Sequence, residues 1–200
     1  MKRVASWLIW GSVLLSAPPL VAEKISIDRL SSYLDGLKTV EAKFTQISSD
    51  GSLSTGALFI KRPGRIRFEY DPPNDALVLA SGGQLAIFDP KGNAGPESYP
   101  LNKTPLSLIL DDKIDLKRNK LVAGHNFDGT STILTVQDPE NPERGKMALV
   151  FTPDGPQLRQ WVIRDQNGEE TVVVLNDMAT GKKLNDAMFN IQLNKNERNK

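Results

Sequence analysis

The chain has 200 residues, with 25 Lys and Arg against 24 Asp and Glu, one histidine and no cysteine. That length is room for one domain. The near-neutral balance excludes the basic excess that non-specific nucleic-acid binding needs, and the lack of cysteine excludes disulfides, thiolate chemistry, zinc–thiolate sites and lipid attachment through an N-terminal cysteine.

Lys2 and Arg3, an apolar run from Val4 to Leu15 too short to span a bilayer, and a cleavage site at Leu20-Val21-Ala22 read as a secretory signal peptide over residues 1–22. Residues 23–200 then form one domain with 23 basic against 24 acidic side chains, expected in the bacterial periplasm or secreted.

Ser26 to Leu37 reads as a helix. Ile27, Leu30, Leu34 and Leu37 recur at three and four beside Tyr33, Ser26 is a suitable N-cap and Gly36 marks the end. Its polar face is not rich in Lys or Arg, so it is expected to pack on a sheet rather than on a membrane.

From Thr39 the period changes to two. Val40, Ala42 and Phe44 alternate with Glu41, Lys43 and Thr45, Asp50-Gly51 turns, and a second strand runs from Leu53 to Lys61. Arg62-Pro63-Gly64 is expected to form a type II turn, with proline fixing φ and glycine accepting a positive φ. In the next strand Ile66, Phe68 and Tyr70 face one way and Arg65, Arg67 and Glu69 the other. Asp71-Pro72-Pro73-Asn74 breaks it. Ala76 to Ala80 and Gln84 to Asp89 form another pair through Gly82-Gly83, and Pro90 to Pro100 reads as a loop. Thr104 is expected to cap a short apolar helix opened by Pro105, Leu106 to Leu110, and Asp111, Asp112 and Asp115 follow in a solvated loop that lacks the glycine and glutamate of an EF-hand.

Strands resume at Lys120 to Phe127, Ser131 to Gln137, Lys146 to Thr152 (turned by Asp154-Gly155), Leu158 to Asp165 and Thr171 to Leu175, with a last one at Met188 to Leu193 before a charged tail. About eleven strands joined mostly by short turns predict a mainly β chain in which sequence neighbours pair antiparallel. A sheet of that size must curl and can enclose a cavity that the helices cap; a tightly packed two-sheet sandwich fits the same pattern.

Enzyme chemistry is not expected. His125 lies in a strand beside Gly124, with no glycine-framed serine, and is expected to be structural. One histidine and no cysteine leave only carboxylates for a metal, no phosphate-binding loop is present, and the scattered acids single out no pair for a glycosidase. No cofactor and no metal are expected. Arg62 stands out because an arginine bordering an apolar strand face is costly to bury without partners. It can snorkel to the rim, or donate to helix-end and loop carbonyls across a cavity mouth. Phe68, Tyr70, Phe151 and Trp161 can fill an ordinary core or line a site for an apolar ligand.

Phe44-Thr45-Gln46, Gly56, Lys61-Arg62-Pro63, the aromatic strand with Phe68, Gly83-Gln84-Leu85 leading to Phe88-Asp89-Pro90, Thr104-Pro105-Leu106 and Asp165 to Gly168 follow one another in an order that resembles the LolA family of periplasmic lipoprotein carriers. The resemblance covers essentially residues 23–200. It implies an incomplete antiparallel β-barrel of about eleven strands, with short α-helices forming a lid over a hydrophobic cavity. It also implies a monomer that takes acylated lipoproteins from an inner-membrane ABC transporter to an outer-membrane acceptor, or to the outer membrane directly, touching membranes only transiently.

Under that resemblance Arg62 latches the closed lid. The acyl-chain cavity is expected to be lined by Phe44, Leu58, Ile60, Ile66, Phe68, Tyr70, Leu77, Leu79, Leu85 and Ile87 from the first strands, and by Met147, Leu149, Phe151, Trp161 and Ile163 from the later ones. Leu30, Leu34, Leu106, Leu108, Ile109 and Leu110 belong to the lid helices. The chain departs from the family's best-studied branch at Phe68, where that branch has tryptophan and its indole donor. It departs again at Phe189 to Leu193, which runs into a polar tail in place of a Pro-Gly-Val segment and a further extension. Looser relatives include periplasmic lipid-binding and stress-sensing proteins, so a sensor or adaptor that binds lipid or lipoprotein and hands nothing on is the alternative.

Overall fold

Eleven strands form one antiparallel sheet in a computed structural model that describes residues 22–89, 95–152 and 155–198. The expected leader (bar Ala22), Pro90 at the start of the expected loop, Asp154 of the expected turn and the last two residues of the tail lie outside these. The strands are β1 (Thr39–Ile47), β2 (Leu53–Lys61), β3 (Arg65–Tyr70), β4 (Leu77–Ser81), β5 (Gln84–Phe88), β6 (Glu97–Pro100), β7 (Val122–Phe127), β8 (Thr132–Gln137), β9 (Gly145–Thr152), β10 (Gln157–Asp165) and β11 (Glu170–Thr180). Their spatial order is β6-β5-β4-β3-β2-β1-β11-β10-β9-β8-β7. Two meanders therefore meet at a β1–β11 seam, and β6 and β7 are the outer edges of an unclosed sheet.

The sheet curls strongly. Phe68 on β3 and Trp161 on β10 have three strands between them, about 19 Å along a flat sheet at the usual strand spacing. Their rings are only 5.8 Å apart, centre to centre. A single curled sheet, not a sandwich, encloses the core. Helix α1 (Ile27–Gly36) lies on the inner face through Leu30 and Leu34, with the Ser26 hydroxyl accepting from the Arg29 N–H as expected of an N-cap. Helix α2 (Leu106–Leu110) lies in the connection between the edges β6 and β7 and buries Leu108, Ile109 and Leu110. Thr104 does not cap it: the cap position is Pro105, and the threonine hydroxyl donates to the Leu101 carbonyl.

Three further expectations change. The end of the expected loop at Pro90 to Pro100 is a strand, β6, paired with β5 from Ile87–Glu97 to Gln84–Pro100; an edge strand tolerates the proline that made it read as a loop. Met188 to Leu193 is not a strand but a 3-10 turn (Asp186–Phe189) followed by helix α3 (Ile191–Arg198). Asn185 accepts from the Ala187 N–H and Asn190 from the Leu193 N–H, and these caps override a weak two-residue alternation. Leu77 and Leu79 do not line the interior. β4 is apolar on both faces, so alternation could not choose between them; the pairings of Phe68 with Val78 and Ile66 with Ala80 turn Val78 and Ala80 inward. Leu77 and Leu79 instead join Ala86 and Phe88 in a second cluster on the outer face, against which Ile191 of α3 packs.

The C-terminal segment is held to that outer face by the charges of the β2–β3 hairpin. Lys61 reaches the Leu184 carbonyl and Asp186, Arg65 also reaches Asp186, and Arg67 donates to the Met188 carbonyl and the Asn194 side chain.

Candidate functional site: an arginine between two helix ends over an apolar interior

The β2–β3 turn places Arg62 between the C-terminal ends of α1 and α2. Its side chain is 1% exposed. Gly64 has the expected positive φ of 70°, and the Arg62–Pro63 peptide is cis. Backbone bonds fix the turn on both sides, from the Arg62 N–H to the Lys38 carbonyl and from the Gly64 N–H to the Leu110 carbonyl, each 2.8 Å.

All five guanidinium N–H groups find acceptors. Nε donates to the Asp111 carbonyl at 2.6 Å, Nη1 to the Leu34 carbonyl at 2.6 Å and the Asp35 carbonyl at 3.1 Å, and Nη2 to the Asp112 carbonyl at 3.0 Å and Asp35 Oδ1 at 3.2 Å. Helix C-termini leave carbonyls without intrahelical partners and carry partial negative charge. One cation answers both ends at once. The Asp111–Asp112 stretch, expected to be only a solvated loop, thus supplies two of the acceptors, and Asp35 had no signal in the sequence beyond its place near a helix end.

Asp35 ties the corner together. Its Oδ1 accepts from the Ile114 N–H at 3.0 Å and faces Arg62 and Lys38. The Ile114 hydrogen bond, with help from Arg62 and Lys38 and against a partial desolvation, holds its carboxyl below the ordinary value of 3.8. A carboxyl depressed in the folded state contributes stability that is full above its unfolded value and is lost as pH falls through the folded one. Asp35→Asn should therefore lose less stability than the wild type between about pH 5 and about pH 3, as read by urea unfolding. Other depressed carboxyls contribute equally to both proteins, so parallel losses would show that Asp35 carries no such share.

Beneath the lid the interior is aromatic at its centre. Phe44 makes edge-on contacts with Phe68 at 5.4 Å and Tyr70 at 5.0 Å, Phe68 meets Trp161, and Tyr33 of α1 meets Phe151 at 6.1 Å. Phe44 also lies against Gly56, where a Cβ would come within 2.7 Å of its ring and 2.1 Å of the Glu69 carbonyl oxygen. The Tyr70 hydroxyl donates to Gln46 at 2.7 Å, whereas Trp161 Nε1 is buried without a partner among the described residues.

Of the expected lining residues, Phe44, Leu58, Ile60, Ile66, Phe68, Leu85, Met147, Leu149, Phe151 and Trp161 share one buried cluster with Leu30, Leu34, Leu108, Ile109 and Leu110. Tyr70, Ile163 and Leu106 pack at its margin, and Ile87 is half-buried on the Leu85 side of β5. The same cluster includes Leu134, Val136, Val173 and Leu175, whose alternation was readable, and Ile114 and Leu116, hidden in an acidic stretch. Two surface grooves flank the lid. One of about 800 Å³ runs beside α2, past Gly83, Leu101 and Leu121, and one of about 740 Å³ separates α1 from β10 and β11 near Tyr33, Leu158 and Met178. His125 lies apart from all this, its Nε2 2.9 Å from the Ile25 carbonyl, tying the N-terminal segment to β7. Among the described residues no group of three His, Asp or Glu side chains could hold a metal.

The sequence model of the family described as outer membrane lipoprotein carrier protein LolA matches residues 35–192. The chain belongs to the LolA family. An outer-membrane lipoprotein carrier protein of Azotobacter vinelandii is 34% identical over 199 residues, covering 96% of this chain and 95% of its own length. Another of that name from Methylococcus capsulatus is 27% identical over 177 residues, 84% of each chain. Among solved structures, one from Vibrio parahaemolyticus, described provisionally as an outer membrane lipoprotein-sorting protein domain, superposes with a TM-score of 0.54 at 13% identity, over 84% of this chain and 97% of that one. The LolA fold, an unclosed curled sheet with helices over its inner face, is the one built above from Phe68, Trp161 and Arg62. LolA is a carrier family rather than an enzyme family.

Proposed function

We propose that this LolA-family chain works in the periplasm as a monomeric carrier. It accepts the acyl chains of lipoproteins released by an inner-membrane ABC transporter and passes them to an outer-membrane acceptor, or to the membrane itself. The names of its relatives support the cargo class. The observation that carries the mechanism is the Arg62 guanidinium, which joins the ends of both lid helices over a continuous apolar face.

The energies are matched to that role. Hydrogen bonds of this kind are each worth about 1 kcal/mol net, somewhat more for a charged donor. Ten buried methylenes gain about 8 kcal/mol before ordering costs. An entering acyl chain can therefore displace the apolar residues of α1 and α2 and break the latch, and closure of the lid in turn competes with bound cargo and assists release. Reading residues 1–22 as a cleaved leader supplies the route to the periplasm.

Inner-membrane vesicles, ATP and the purified protein should yield a soluble one-to-one complex with an acylated lipoprotein. Binding of free lipid without release of any lipoprotein would instead support the sensor or adaptor. Leu106 is only partly buried at the margin of the lid, so Leu106→Glu should leave folding intact and weaken acyl binding by about tenfold, the loss of one buried side chain's contact with the ligand. Unchanged affinity in that variant would remove α2 from the lid.

A further inference from the structure

We propose that the indole N–H of Trp161 is the recognition point for the carbonyl of an acyl chain, so that the interior prefers acyl esters and amides over bare alkyl chains. The inference rests on the carrier reading and adds a chemical preference to it. Trp161 is wholly buried in the middle of β10, between Leu149 of β9 and Val173 of β11, and its Nε1 has no hydrogen-bond partner among the described residues.

That orphan donor contrasts with the other polar atoms on interior aromatics. The Tyr70 hydroxyl has Gln46 and the Tyr33 hydroxyl has the Leu158 N–H and the Met178 sulfur. A buried N–H without an acceptor is a standing cost that phenylalanine at this position would not incur. Phe68 is the aromatic neighbour of Trp161, and a ring face is only a weak acceptor. Trp161 lies on the inner face that cargo must line when the lid residues give way. An alkyl tail brings no acceptor there. The first atom of an acyl chain able to satisfy the indole is its carbonyl oxygen, so the donor discriminates between two ligands of equal hydrophobicity.

Trp7 and Trp10 are the only other tryptophans. With Trp7→Phe and Trp10→Phe in the full-length sequence, exported and purified, Trp161 is the sole indole whether or not the leader is removed. A synthetic diacyl lipopeptide, its dialkyl-ether analogue and a diacyl phospholipid are then compared by affinity and by the ultraviolet Raman band that reports indole N–H hydrogen bonding. The expected result is a band shift with the diacyl lipopeptide, a smaller one with the ether, whose oxygens are weaker acceptors than an ester carbonyl, and about tenfold tighter binding of the acyl form. Trp161→Phe should reduce that ratio to about one, whatever it does to the affinity for either ligand alone. A shift with the phospholipid as well assigns the contact to the shared ester carbonyl; a shift with the lipopeptide alone assigns it to the lipopeptide's own linkage. Equal binding of acyl and ether forms with a still band overturns this inference and leaves the carrier reading standing. Binding of neither lipid overturns both. Should Trp161→Phe fail to fold, the band shift decides alone.

Discussion

Arg62→Leu is expected to destabilise the protein by about 3 kcal/mol, lowering the melting temperature by roughly 6–12 °C, and to impair cargo hand-over more severely than that loss alone would. The substitution removes five N–H donors at once and leaves four carbonyls and the Asp35 carboxylate without them. Those acceptors sit at helix ends near the surface, where water can reach some of them, so the cost stays well below five separate bonds. What water cannot restore is the link between the two helices. Arg62→Lys should fall in between, since a compact ammonium cannot span carbonyls from both helix ends as the planar fork does. Thermal unfolding, hydrogen exchange of α1 and α2, and the vesicle release assay read the three effects separately. Wild-type exchange in both helices together with wild-type transfer would dispose of the latch.

Gly56→Ala should be the more damaging change, costing about 3–5 kcal/mol and leaving little folded protein at physiological temperature. The added methyl would stand 2.1 Å from the Glu69 carbonyl oxygen and under 3 Å from two atoms of the Phe44 ring. Phe44 could turn only by breaking its contacts with Phe68 and Tyr70, and the carbonyl could withdraw only by opening the β2–β3 ladder, in which Gly56 faces Tyr70. Trimming the ring in the double variant Gly56→Ala, Phe44→Leu should not rescue stability, because the backbone oxygen is the closer obstacle. Gly51→Ala is the control: open space surrounds it, and only its φ of 81° penalises a side chain, at about 1 kcal/mol. Equal unfolding midpoints for the two single variants would refute the packing argument.

Much of this architecture is legible in the sequence. Strict alternation around Ile66, Phe68 and Tyr70 identifies the inner face because Arg65, Arg67 and Glu69 fill the other side, and around Met147, Leu149 and Phe151 because the larger apolar side chains lie on one side, opposite Lys146, Ala148, Val150 and Thr152. The turn at Arg62 was legible for the same reason, as a charge at the end of an apolar stripe. β4 failed because Leu77, Val78, Leu79 and Ala80 are apolar on both sides, and only pairing with β3 selects a face. The C-terminal helix failed because its caps, Asn185 and Asn190, act through side-chain bonds that a two-residue alternation masks. That Arg62 could donate to helix-end and loop carbonyls was legible, but not which ones, since the carbonyls of Leu34, Asp35, Asp111 and Asp112 have no residue type to mark them and the Asp35 carboxylate is one acid among many.

The seam between the two meanders has a consequence for how the chain must fold. Each meander is built from pairings of near neighbours, but β1 finds its second partner only in the last strand, with Val40 opposite Thr180 and Ile47 opposite Val172. Contacts of such long sequence separation are slow to form, because the loop must be closed before they reward it. Until then one side of β1 is an unpaired edge, open to pairing with another chain. Glu41 and Lys43, alternating along its outward side, are the kind of charges that discourage such mispairing, and in the finished molecule they meet Lys182 and Asp177 from the far end of the chain. The residues that guard the open edge become ion pairs with β11 and the segment just after it once the right strand arrives.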